Sequence, residues 1–171
     1  SNACCDFNET DVNDVEYIDG LVDEMSDAFD LDKSRIYLFG HSNGHFMSYQ
    51  YLCTSKNPVA AIAGLAGSMD NDPTQCSGKT AHVLHIHGDA DSTISYDGGS
   101  IFAQSYPSVD EVVKRWSKNN QCTAKPENQL DVIAAMSGTE TTSYPFDCGK
   151  GSLELWKLNG GVHVPILDRG F

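Results

Sequence analysis

The segment that most restricts this chain is residues 35–44. Arg35-Ile36-Tyr37-Leu38-Phe39 is a short, continuous run rich in apolar and aromatic residues, the pattern of a strand buried on both faces. Gly40-His41-Ser42-Asn43-Gly44 follows it, and Asn43 to Cys53 then carries residues compatible with a helix. A strand that reverses into a helix this quickly leaves no room for Cβ atoms at the flanking positions, which are glycines here, and it pushes the central side chain out above the sheet. Ser42 is therefore the candidate nucleophile. The backbone N–H of Asn43, at the N-terminus of the following helix, is the candidate donor to an oxyanion.

The flanking pattern extends this unit into a parallel α/β fold. Asp11 to Phe29 has apolar residues at Val15, Ile18, Leu21, Val22, Met25 and Phe29, spacing that predicts an amphipathic helix capped by Asp11 or Asn13. Pro58 separates the second helix from Val59–Ala66, a further buried strand, and strand, helix, strand is a βαβ unit. His82–His87 predicts a third strand, closed by Gly88 and a polar loop through Ser100. A helix is expected from Ser108 to Lys118, with Val109, Val112, Val113 and Trp116 inward. Residues 120–150 are polar and flanked by cysteines, with at most one short strand near Thr139–Tyr144, and Ser152–Leu158 predicts the last strand.

A serine hydroxyl needs a base to take its proton and a carboxylate to hold that base in the right tautomer. On a sheet of this type the order along the chain is serine, acid, histidine, and the loops that carry them leave the carboxyl ends of the strands. His163, in the loop Gly160-Gly161-Val162-His163 after the last strand, is the candidate base. Asp91, in His87-Gly88-Asp89-Ala90-Asp91, is the candidate acid, because two extra residues let its side chain turn back across the sheet end. Asp89 is the rival, with the plainer reading of a turn residue that binds backbone N–H groups. His41 and Tyr96 are candidates for the substrate pocket. His82, His85 and His87 invite a metal reading, but alternation sets His82 on the opposite face from the other two, so no metal ligand is assigned and no cofactor is required.

Composition narrows the partners. Twenty-four acidic against eleven basic side chains give a net charge of −13, which repels phosphate backbones and anionic lipid surfaces, so neither nucleic acid nor membrane is expected as a partner. At 171 residues the chain is read as one domain. Ser1-Asn2-Ala3 are identical to a scar commonly left by tag cleavage and are set aside from the fold. Six cysteines without paired C-x-x-C spacing point to disulfides and an oxidising compartment, secreted or periplasmic. Three bridges allow fifteen connectivities, of which only Cys122–Cys148, flanking the polar insert, is favoured.

Ala3-Cys4-Cys5-Asp6, Asn13-Asp14-Val15, Gly40-His41-Ser42-Asn43-Gly44, His87-Gly88-Asp89-Ala90-Asp91, Tyr96-Asp97-Gly98-Gly99 and Gly160-Gly161-Val162-His163 occur in that order along nearly the whole chain. Together they resemble the secreted polyhydroxybutyrate depolymerases and the related feruloyl and acetyl-xylan esterases. The resemblance implies an α/β-hydrolase fold, hydrolysis of a small or polymeric carboxylic ester through an acyl-enzyme, catalytic roles on Ser42, Asp91 and His163, and a Cys122–Cys148 bridge. His45 stands where relatives usually carry a second glycine, and Val164-Pro165 stands where a tryptophan-proline follows the histidine.

The resemblance also implies strands before the elbow and a His-Gly loop supplying a second oxyanion N–H, neither of which this sequence provides. It implies a closing helix beyond Phe171 as well. The chain is thus expected to be the C-terminal part of the mostly parallel sheet, truncated at both ends. Strand 35–39 is then expected to present an open apolar edge that pairs with a second copy or with a missing segment. The contrasting expectation is an inactive fragment that keeps the elbow and serves only as a structural or binding module.

Overall fold

The structure, a computed structural model, describes residues 12–101, 104–132 and 138–164. Helix α1 (Asp14–Ala28) begins where the Asn13 side chain accepts the Glu16 N–H, so Asn13 is its cap, while Asp11 lies outside the described residues. A 3-10 turn at Lys33–Arg35 leads into β1 (Tyr37–His41). Then come α2 (Asn43–Thr54), β2 (Ala61–Leu65), β3 (His82–Gly88), the hairpin of β4 (Gly99–Ile101) and β5 (Gln104–Tyr106), and α3 (Val109–Asn120). The chain continues through β6 (Cys122–Ala124), β7 (Asn128–Leu130), β8 (Thr141–Cys148) and β9 (Ser152–Leu158).

The main sheet runs β1-β2-β3-β9-β8-β6, with β7 also paired to β8. Strands β1, β2, β3 and β9 are parallel, and β8 turns back antiparallel on β9. This is the mostly parallel sheet expected of an α/β-hydrolase. Parallel register sets side chains in rows across the strands. One row is Leu38, Ile62, Val83 and Leu153, and the next is Gly40, Gly64, His85 and Leu155. Both rows lie on the face covered by α2 and α3, where Tyr49, Tyr51, Leu52, Val112 and Trp116 complete the core. The Gly40–Gly64 pair makes the second row shallow next to α2, and the fully buried ring of His45 occupies that space: a Cβ on Gly64 would run into the His45 ring.

Three expectations need correcting. Strand β1 starts and ends two residues later than 35–39, and it is buried on one face only. Tyr37 and Phe39 are 64% and 79% exposed, because a continuous apolar run does not tell which faces are covered. Helix α1 forms, yet Leu21, Met25 and Phe29 of its apolar stripe are exposed, while Val15 and Ile18 pack on the core and Val22 is half-buried. What seats α1 is polar: buried Asp19 accepts hydrogen bonds from Tyr51, Ser55 and Asn57 side chains and from the Lys56 N–H.

Finally, the polar insert holds two short strands, β6 and β7, and a long β8 in place of one strand at most. Its apolar pattern is weak because pairing with β8, not burial, forms these strands. Register sets Cys122 opposite Cys148, and the two are bridged. Cys53 at the end of α2 is bridged to Cys76. Cys4 and Cys5, like the tripeptide 1–3 and the segment 165–171, lie outside the described residues.

Candidate active site

Ser42 sits at the junction of β1 and α2 with φ 55° and ψ −121°, a conformation that L side chains rarely adopt. The surrounding backbone holds it there. Its N–H donates to the Leu65 carbonyl at the end of β2, and its own carbonyl accepts from His45 and Phe46 in the first turn of α2. At Gly40 a Cβ would collide with the Gly44 carbonyl, so that glycine is required by close approach. The Asn43 N–H belongs to the first turn of α2, where backbone donors have no carbonyl partner within the helix.

The loops after β3 and β9 leave the same end of the sheet and are tied together. Asp89 N–H donates to the Leu158 carbonyl and Ala90 N–H to the Gly161 carbonyl. This brings His163 between two residues that are 121 and 72 positions away in sequence. Its Nε2 lies 2.9 Å from the Ser42 Oγ, and its Nδ1 lies 2.9 Å from the Asp91 Oδ2. A carboxylate only accepts, so Nδ1 carries the proton and Nε2 is left to accept from the serine. The His163 side chain keeps 17% exposure, whereas that of Asp91 is enclosed. The second oxygen of Asp91 accepts the N–H groups of Thr93 at 2.8 Å and Ile94 at 2.9 Å, which fixes the carboxylate plane.

Asp89 has other partners. It accepts the Gly160 N–H at 2.6 Å and lies 3.6 Å from Lys157 Nζ, so it shapes the loop that carries His163 and does not touch the imidazole. His41, proposed for the pocket, is exposed. Its Nε2–H donates to the His163 carbonyl at 2.9 Å, and the two rings lie 5.1 Å apart. Tyr96 is half-buried, set edge-on to His87 with centroids 5.9 Å apart, and burial pushes its phenol up from the usual value.

Behind these groups lies a buried stack of aromatic rings. His45 stacks on Tyr49 and lies against His85, and His85 stacks on His87. Burial pushes His45 down to about 3 and also lowers His85 and His87, so all three rings are neutral near pH 7. His82 is exposed on the other side of the sheet, and among the described residues no cluster has the ligands to hold a metal ion.

Comparison with known proteins agrees with this architecture. The chain is 26% identical to feruloyl esterase D of Neurospora crassa over 89% of its length. It is 25% identical over 89% to a bifunctional acetylxylan esterase/xylanase of Neocallimastix patriciarum. A probable feruloyl esterase C of Aspergillus niger is 28% identical over 82% of the chain. The chain spans only 48%, 21% and 47% of these proteins respectively. Among solved structures, an acetyl xylan esterase from Aspergillus awamori superposes with a TM-score of 0.63 at 17% identity, covering 89% of this chain and 63% of that one, a likeness of fold. The model of the phospholipase/carboxylesterase family matches residues 6–135, and with the elbow and mostly parallel sheet described above, the chain belongs to that family of α/β-hydrolases.

Proposed function

We propose that the chain carries the catalytic serine, base and acid of a carboxylic ester hydrolase. The observation that carries this reading is the hydrogen-bonded line from Ser42 through His163 to Asp91, assembled from three loops at one end of the sheet. Ser42 attacks the ester carbonyl while His163 Nε2 takes the hydroxyl proton. The developing oxyanion meets the Asn43 N–H at the positive end of α2. His163 then protonates the leaving alcohol, and a water activated by the same nitrogen releases the acid from the acyl-enzyme. Asp91 stays ionised throughout, holding the tautomer and stabilising the imidazolium. The chemistry calls for no cofactor.

The names of the relatives favour feruloyl or acetyl-xylan esters as substrates, with polyhydroxybutyrate a third class in view of the sequence resemblance. His41 and Tyr96 are the pocket positions proposed to touch the acyl group. The two disulfides, Cys53–Cys76 and Cys122–Cys148, support a secreted or periplasmic location.

A fluorophosphonate probe tests the reading directly. Labelling is expected on Ser42 and absent in Ser42→Ala, together with hydrolysis of p-nitrophenyl acetate that the same substitution abolishes. An unlabelled, correctly folded chain would instead favour a binding or structural module. Rates on methyl ferulate, acetylated xylan and hydroxybutyrate oligomers then rank the three ester classes.

A further inference from the structure

Tyr49, His85 and His87 form a hydrogen-bonded series that runs through the core to the acid of the candidate triad. The Tyr49 hydroxyl lies 3.0 Å from His85 Nδ1, and His85 Nε2 lies 3.4 Å from His87 Nδ1. His87 Nε2 ends the series 2.8 Å from the Ile94 carbonyl and 3.5 Å from Asp91 Oδ2. The relative accessibility of all three residues is 1% or less.

The hydrogen bonds from Tyr49 to the Ile94 carbonyl are satisfied together by one arrangement of protons on neutral rings. A carbonyl accepts and never donates, so His87 Nε2 carries hydrogen; a neutral ring then leaves Nδ1 bare, to accept from His85 Nε2–H. His85 Nδ1 is bare in turn and accepts from the Tyr49 hydroxyl, which burial keeps protonated. Every donor points the same way, from α2 towards the loop after β3.

The end of this series is not a neutral place in the fold. Ile94 is the residue whose N–H, with that of Thr93, binds Asp91 Oδ1. Its carbonyl is held by His87. The turn that aims Asp91 at His163 is thus pinned from the core side by one imidazole N–H. A charged His87 at the same place would compete with His163 for Asp91 Oδ2, which lies 3.5 Å from His87 Nε2 and 2.9 Å from His163 Nδ1. The groups facing His87 are His85 on its own strand, the Gly67 backbone after β2, Asp91, Ile94 and Tyr96 from the following loop, and His163 across the carboxylate, with His45 and Tyr49 from α2 behind His85. His85 and the Ile94 carbonyl are its hydrogen-bonding neighbours, with Asp91 Oδ2 3.5 Å away, so a neutral Nε2–H tautomer is the form that suits the acid.

We propose that His87 is a positioning residue, which, held in a single tautomer by Tyr49 and His85, fixes the 91–94 turn so that Asp91 meets His163. The proposal rests on the ester-hydrolase reading, and its test separates the two. His87→Gln places an amide N–H near the imidazole Nε2 and keeps the tie to Ile94. His87→Asn can accept from His85 but does not reach the carbonyl. With p-nitrophenyl acetate, Gln is expected to stay within a few-fold of the parent, and Asn to lose roughly 10- to 100-fold in kcat with KM little changed. In the Asn variant the acid limb of the kcat/KM profile should also move to lower pH, because protonated His163 loses part of its carboxylate partner.

A role in stability alone would lower the melting temperature and leave that limb in place, which would overturn the proposal, as would a limb that moves to higher pH. If neither variant folds, nitrogen-15 spectra of the histidines in the unaltered chain decide. His85 and His87 must both be neutral and protonated at Nε2, and either ring protonated at Nδ1 sinks the series. Should the unaltered chain show neither hydrolysis nor probe labelling, the ester-hydrolase reading fails while the spectra still test the hydrogen-bonded series.

Discussion

Asp89 and Asp91 leave the same strand end two residues apart, and the difference between them is one of reach. The Asp89 carboxylate is occupied by the Gly160 N–H and faces Lys157, on the outer side of the loop. Asp91 has turned inward, with one oxygen on two backbone N–H groups and the other on His163. Asp91→Asn is accordingly expected to lower kcat on p-nitrophenyl acetate by roughly 10⁴-fold, since an amide at that place favours the wrong imidazole tautomer. Asp89→Asn is expected to change kcat by less than about 10-fold, as it weakens a loop contact and touches no reacting group. Equal losses in the two variants would mean that the acid has been misassigned. The Ser42, Asp91 and His163 positions were legible from chain order and from where loops must leave a parallel sheet. The hydrogen bonds of His41 and His87 to the carbonyls of His163 and Ile94 were not, because a carbonyl has no signature in the side-chain sequence.

At the scale of elements, periodicity located the strands and helices that bury apolar side chains and missed those that do not. β3, β9 and α3 fall within two residues of where alternation or helical spacing put them. β4 at the end of the polar loop and β5 just beyond it went unread, as did β6 and β7 in the insert, since a strand three residues long gives no measurable alternation. The attachment of α1 shows the same limit in another form. Its stripe implied apolar docking, yet the contact is centred on Asp19, whose burial would raise its carboxyl but whose bonds to Ser55, Tyr51, Asn57 and Lys56 outweigh that and hold it at about 2 instead of 3.8.

A carboxylate lowered on folding stabilises the folded state while it is ionised, so its contribution is complete above about pH 4 and disappears as pH falls towards 2. Asp19→Asn should therefore cost about 2 kcal/mol at pH 7. In denaturant titrations the gap between variant and parent should close across that acid window, and a gap that stays constant with pH would show that shape, not charge, seats α1.

For the molecule as a whole the open feature is the β1 side of the sheet. β1 pairs only with β2, so one row of its N–H and carbonyl groups has no strand beside it among the described residues. Exposed edges usually carry lysine, proline or a bulge that discourages pairing. β1 reads Tyr-Leu-Phe-Gly-His and has neither lysine nor proline, and its Tyr37 and Phe39 stand out on the uncovered face. Beside it lies a groove of about 520 Å³ whose walls include Leu21, Met25, Leu31, Ile36 and Tyr37.

We propose that a second copy of this chain covers that edge. A strand laid antiparallel on its own copy is related to it by a two-fold axis, so one sequence satisfies both sides of the interface. The charge of −13 opposes such an approach, and salt should therefore strengthen it by screening the repulsion. Light scattering across a concentration series is expected to show a dimer that grows with protein and with ionic strength. Phe39→Lys, which sets a charge at the middle of the shared edge, should hold the chain monomeric while leaving probe labelling of Ser42 intact. A parent chain that remains a monomer at every concentration and salt level would leave the edge without this partner.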